Sequence, residues 1–263
     1  MGGHLSGDVA SSLAIATLTE FLANAVGLDR TWPFPYDKDL SDEENCIVVG
    51  VRLANQSVFG RAVKGDGESG MGTTVVVVMF SSDAKQVVVG HVGDSRCYRV
   101  RNGRITQLTT DHSLVSEVTE VAPWLSEDEI QQLPSNYITR ALGMAPDVVV
   151  DLLTTDTRSG DLYLLCSDGL NGMLSDDRIL ALLSSSQGLQ ARCDALIREA
   201  NAAGGVDNVT VALVAVEEQP ESEASAPLEE LCHGGAISAL IGRPEILLVN
   251  IPDDGSEDDT FTG

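Results

Sequence analysis

The sequence predicts an α+β fold in which two antiparallel β-sheets form a sandwich flanked by helical layers. Three observations carry this. Short β-rich runs come in neighbouring pairs, at 73–80 with 86–91, 96–101 with 105–108, and 148–153 with 162–166. Helical segments are inserted between them in groups rather than one after each strand, which argues against a regular βαβ parallel sheet. Several runs are apolar at nearly every position, the pattern of strands covered on both faces.

Each element has a local cause. Residues 6–26 carry Val9, Leu13, Ala16, Leu18, Phe21 and Leu22 at helical spacing, so an amphipathic helix is expected. Trp32-Pro-Phe-Pro35 interrupts it, and Ser41-Asp-Glu-Glu44 has the form of a capping box opening a second helix to about Val63. The Asn102-Gly103 pair is a two-residue hairpin turn between strands 96–101 and 105–108. Residues 113–133 read as mixed helix and loop. Strands 148–153 and 162–166 are joined by a turn at Ser159-Gly160, helices follow at 176–183 and 189–202, and 209–216 is the last apolar strand.

The chain divides unevenly in charge. Its net charge is −24, and −11 of that lies after Val216, where twelve acidic residues face one arginine, Arg243. One globular domain is therefore expected over 1–216 and an acidic, partly disordered tail over 217–263. Within the tail, 217–230 reads as a linker, 246–251 is apolar enough to dock as a strand, and 253–259 is solvated. So acidic a surface repels phosphate backbones and anionic lipid, which argues against nucleic-acid and membrane partners. The five cysteines are widely spaced with no C-x-x-C pair, which indicates neither a disulfide framework nor a zinc ribbon and fits a cytoplasmic location.

Two glycine-rich strings carry no chemistry. Gly65-Asp-Gly-Glu-Ser-Gly70 follows a helix and opens a strand, the reverse of a dinucleotide fingerprint, and Gly67 to Thr73 lacks the lysine of a phosphate loop. The informative residues are aspartates. Asp168 ends one apolar strand, Asp207 precedes another, and Asp111 sits just beyond a third. Strand-end carboxylates beside permissive glycines can converge at one rim of a sandwich, where hard oxygen donors suit Mg²⁺ or Mn²⁺. The alternative is that each aspartate merely caps a turn or helix, as Asp-Gly pairs commonly do.

Six strings taken together resemble the metal-dependent protein phosphatase family, type 2C, in its bacterial serine/threonine form. They are Gly70-Met-Gly-Thr-Thr74, His91-Val-Gly-Asp-Ser-Arg96, Leu108-Thr-Thr-Asp-His-Ser113, Ile138-Thr-Arg-Ala-Leu-Gly143, Leu165-Cys-Ser-Asp-Gly169 and Gly204-Gly-Val-Asp-Asn208. The resemblance implies the same sandwich and a dinuclear Mn²⁺ or Mg²⁺ site whose activated water attacks phosphoserine or phosphothreonine on proteins. It implies Asp168 and Asp207 as ligands of the main metal pair, and Asp111 as a ligand of a third, weaker ion. His4 matches a histidine that acts as acid toward the leaving alkoxide; as a loop histidine near a terminus it would have no role. Asp94, Arg96 and Arg140 read as structural supports, and Gly172 stands where some members carry a carboxylate.

Met1-Gly-Gly-His4 matches only the last part of the family's first motif, which normally reads Asp-Gly-Met-Gly-Gly-His. The expectation is an N-terminally truncated sandwich lacking its first two strands, a bridging aspartate and the phosphate-gripping arginine. Weak metal binding and impaired hydrolysis follow from that. The enzyme reading implies phosphorylated protein substrates and a cognate serine/threonine kinase. The rival reading is a non-catalytic phosphoprotein-binding or regulatory pseudophosphatase.

Overall fold

The computed structural model describes residues 4–24, 32–64, 70–134, 137–217, 236–240 and 246–248. Two helices come first, α1 (His4–Asn24) and α2 (Asp42–Val63). Ser41 caps α2 by accepting from the Glu44 amide, and the Glu44 carboxylate returns the bond to the Ser41 amide at 2.8 Å, the reciprocal box that the sequence predicts. Strands β1 (Val75–Phe80), β2 (Gln86–Val92), β3 (Arg96–Arg101) and β4 (Arg104–Gln107) follow as antiparallel neighbours within two sheets. The β3–β4 turn holds Asn102 and Gly103 at φ of 52° and 71°, the left-handed pair a two-residue hairpin needs.

Helices α3 (Leu114–Val121) and α4 (Glu127–Gln131) form a small excursion before β5 (Asp151–Asp156) and β6 (Leu162–Cys166). Then come α5 (Asp168–Asn171), α6 (Asp176–Leu183), α7 (Leu189–Ala202) and β7 (Val211–Ala215), with β8 (Ala236–Leu240) and β9 (Ile246–Leu248) last. One sheet has the order β5-β2-β1-β9 and the other β4-β3-β6-β7-β8. Every pairing is antiparallel except β7 with β8.

Alternation along β1 explains the layers. Val75, Val77 and Met79 pack with α1 and α2, whereas Val76, Val78 and Phe80 meet Tyr163, Leu165 and Val214 between the sheets. On the outer face of the second sheet, Leu164, Leu213 and Tyr98 pack against Ile179 and Leu183 of α6 and Cys193 and Leu196 of α7. Strands apolar on both sides are therefore required, because both faces are removed from water.

Two elements differ from the sequence reading. The strand expected at 148–153 runs at Asp151–Asp156 instead: Val149 is exposed, while polar Thr154 and Thr155 pair with β2. As an edge strand, β5 needs no apolar outer face, so the valine run misleads. The segment after β6, to which the sequence reading assigns no element, forms a short helix, α5. In the tail, β9 pairs with β1 at 246–248. The residues 218–230, 249–251 and 253–259, to which a linker, the rest of a strand and a solvated run were assigned, lie outside the described residues.

Candidate active site

Register places four chain segments at one rim. Val92 at the end of β2 lies opposite Val75, and Cys166 at the end of β6 lies opposite both Arg96 of β3 and Val211 of β7. The turn after β2 carries Asp94, the first turn after β6 carries Asp168, and the loop entering β7 carries Asp207. Ser167 ties two of these segments together. Its Oγ accepts from the Thr210 amide and donates to the Asn208 carbonyl, each at 3.0 Å. Gly169 makes the approach possible: a Cβ there would lie 2.3 Å from the Asn208 carbonyl oxygen, a backbone atom that cannot move aside.

The carboxylates at this rim repel one another. Burial, and then the charge of Asp168, push the Asp94 carboxyl up to about 6. Burial, followed by the charge of Asp207, also raises Asp168, which is open to water on one side and enclosed by protein on the others. Asp111 is arranged differently. Arg96 grips it in a fork, Nε to Oδ1 at 2.9 Å and Nη2 to Oδ2 at 2.6 Å, and Gln107 donates to Oδ1 at 3.0 Å. Its charge is already balanced by the guanidinium. Hard-oxygen donors gathered at one rim are the donor set a divalent cation suits, and Asp94, Asp168 and Asp207 offer such carboxylates.

Of the residues singled out from sequence, Asp168 and Asp207 are thus brought together. Asp111 is near enough to influence Asp168 electrostatically but is bound to Arg96. His4 begins α1, and its side chain lies outside the described residues. Asp94, read from sequence as a turn support, belongs to the rim. The criterion of a strand-end aspartate beside a glycine selects it as well, since Gly93 precedes it. Gly93 has φ of +114° and packs on Thr74, so the turn tolerates no side chain there.

Behind the rim is a second group that sequence reading missed. Ligand atoms of His91, His112 and Asp151 lie within 4.8 Å of one another, the His91 and His112 rings stack with centroids 4.7 Å apart, and Arg140 pairs with Asp151. Nothing local in the sequence joins these residues; β2, the stretch before α3, and β5 contribute one each.

Comparison with known proteins identifies the fold and the family. The family model described as protein phosphatase 2C matches residues 1–206. The serine/threonine phosphatase stp of Listeria welshimeri is 35% identical over 214 residues, covering 81% of each chain. A solved serine/threonine phosphatase of S. agalactiae superposes with a TM-score of 0.68 at 34% identity, covering 80% of this chain and 82% of that one. The catalytic domain of the serine threonine protein phosphatase PstP, solved in complex with two manganese ions, superposes at 0.65 with 31% identity, covering 81% of this chain and 82% of its own. The chain belongs to the protein phosphatase 2C family and is a protein serine/threonine phosphatase.

Proposed function

We propose that the chain hydrolyses phosphoserine and phosphothreonine on proteins using divalent cations, Mn²⁺ or Mg²⁺, held by Asp168, Asp207 and Asp94. The observation that supports this reading most is the gathering of Asp94, Asp168 and Asp207 at one rim, where Asp94 lies within reach of the charge of Asp168 and Asp168 within reach of that of Asp207. Bound divalent ions supply a more acidic water and neutralise phosphoryl oxygens during in-line displacement. The chain's residues supply position. Ser167 and Gly169 hold the Asp168 and Asp207 segments against each other, and Arg96 keeps Asp111 as a fixed, neutralised neighbour. With three available carboxylates at the rim among the described residues, ion binding is weak and turnover low. His4 as the acid toward the leaving alkoxide rests on the sequence resemblance alone. H4Q should then slow a phosphothreonine peptide far more than an aryl phosphate, whose leaving group needs no proton.

Substrates would be phosphorylated proteins, opposing a serine/threonine kinase. Among the described residues the buried cysteines Cys97, Cys166 and Cys193 form no disulfide, which supports a reducing compartment such as the cytoplasm. Among the described residues no helix is long and apolar enough to cross a membrane. The deciding experiment is phosphate release from an aryl phosphate and a phosphothreonine peptide across a Mn²⁺ titration. Release that saturates only at high Mn²⁺ and disappears in D168N supports the proposal. Release that ignores both Mn²⁺ and D168N refutes it. Tight peptide binding without turnover would favour the phosphoprotein-binding role.

A further inference from the structure

The His91, His112 and Asp151 group has the composition of a metal site, but its hydrogen bonds exclude one. The Gly93 amide donates to His112 Nδ1 at 3.0 Å. A backbone N–H can only donate, so Nδ1 must carry the lone pair, and the neutral ring's proton is on Nε2. Nε2 is flanked by Arg140 Nη1 at 3.1 Å and Asp151 Oδ2 at 3.3 Å; the guanidinium can only donate, so the carboxylate is the neighbour able to take that proton. A cation on Nε2 would demand a second lone pair from a ring whose first is already engaged. His91 donates its Nε2 proton to the Thr110 carbonyl at 2.8 Å and keeps a lone pair on Nδ1, but with His112 spent the group offers a cation only His91 and Asp151.

The same bonds form a clamp. The His112 amide donates to the Gly93 carbonyl at 3.0 Å, so His112 holds both polar groups of the residue preceding Asp94. Its own carbonyl accepts from the Thr139 amide at 2.9 Å. Arg140 pairs with Asp151 and donates to the Val149 carbonyl at 3.3 Å. Burial opposes ionisation of Asp151, yet the bonds from Arg140 and His112 outweigh it and hold the carboxyl below the usual range.

We propose that Asp151 is a positioning residue for the rim: by accepting the His112 Nε2 proton it keeps Nδ1 free for the Gly93 amide and so fixes the turn that presents Asp94. Without that acceptor the ring can place its proton on Nδ1, where it would face the Gly93 N–H donor to donor and push the turn away. The inference rests on the reading that Asp94 holds a cation, and such orienting partners are commonly worth 10- to 100-fold in metal affinity.

The test compares D151L with R140Q. Both break the Arg140–Asp151 pair, and R140Q also removes the Nη1 donor beside His112 Nε2, but only D151L removes the acceptor from His112. Calorimetric Mn²⁺ affinity should fall 10-fold or more in D151L and stay within threefold in R140Q. Imidazole ¹⁵N spectra should show His112 as the Nε2–H tautomer in the parent chain and R140Q, and a mixture in D151L. In an H112N background, where an amide oxygen can serve Gly93 unaided, D151L should have no further effect on affinity. Equal losses in D151L and R140Q, or an unchanged tautomer in D151L, overturn the proposal. If the parent chain bound no Mn²⁺, the metal assignment would fail, while the tautomer spectra would still decide the role of Asp151.

Discussion

Replacing Asp94 by asparagine separates the needs of folding from those of ion binding. The Asp94 carboxyl is displaced from its ordinary 3.8 to about 6, burial being the larger cause and Asp168 the next. A shift of about two pH units corresponds to ~3 kcal/mol, taken as a ceiling. The sign follows from linkage. The folded chain holds this proton more tightly than the unfolded chain, so Asp94 lowers stability above pH 6. The cost fades between 6 and 3.8, and it vanishes below 3.8. In metal-free buffer, D94N should therefore be more stable than the parent by ~1–3 kcal/mol at pH 8 and indistinguishable from it near pH 3.8. Urea unfolding with chelator present, repeated across that range, measures the difference. Added Mn²⁺ should reverse the order, because the parent gains binding energy that D94N cannot. A D94N protein that is less stable at pH 8 without metal, or whose difference does not change with pH, would refute the reasoning.

Three further outcomes are expected. G169A forces a methyl group to within 2.3 Å of the Asn208 carbonyl, so it should lower stability by ~1–3 kcal/mol and weaken Mn²⁺ binding, both measurable on one sample by thermal unfolding and calorimetry. R96M strands the Asp111 carboxylate, whose side chain is 14% exposed, and should cost ~2–4 kcal/mol in urea unfolding; R96M/D111L should recover part of it. Trp124 lies between α3 and α4 with 78% of its surface exposed. W124A should leave aryl phosphate turnover and stability unchanged while altering KM for phosphopeptides by at least twofold.

What the sequence makes legible is what local patterns control. The runs Val75–Phe80, Leu162–Cys166 and Val211–Ala215 declare two buried faces each, Ser41 and Glu44 declare a helix start, and Asn102-Gly103 declares a hairpin. The register of β5 escapes because an edge strand is chosen by its partner, not by its own apolarity. The parallel pairing of β8 with β7 escapes because Ala-Ile-Ser-Ala-Leu has no pattern that names a neighbour. At the site, strand-end aspartates point to Asp168 and Asp207. The commitment of Asp111 to Arg96 and the exposure of Asp94 to the charge of Asp168 depend on distances set by tertiary packing. The His112 clamp is further still from local signal, since it joins three segments through single hydrogen bonds.

The most direct measurement is Mn²⁺ binding by calorimetry to the parent chain and to D168N and D207N, with circular dichroism confirming that all three are folded. Binding to the parent that weakens at least 10-fold in each variant, with phosphate release from the aryl phosphate falling in parallel, is the predicted result. Equal affinity in all three folded proteins would contradict a cation held at this rim.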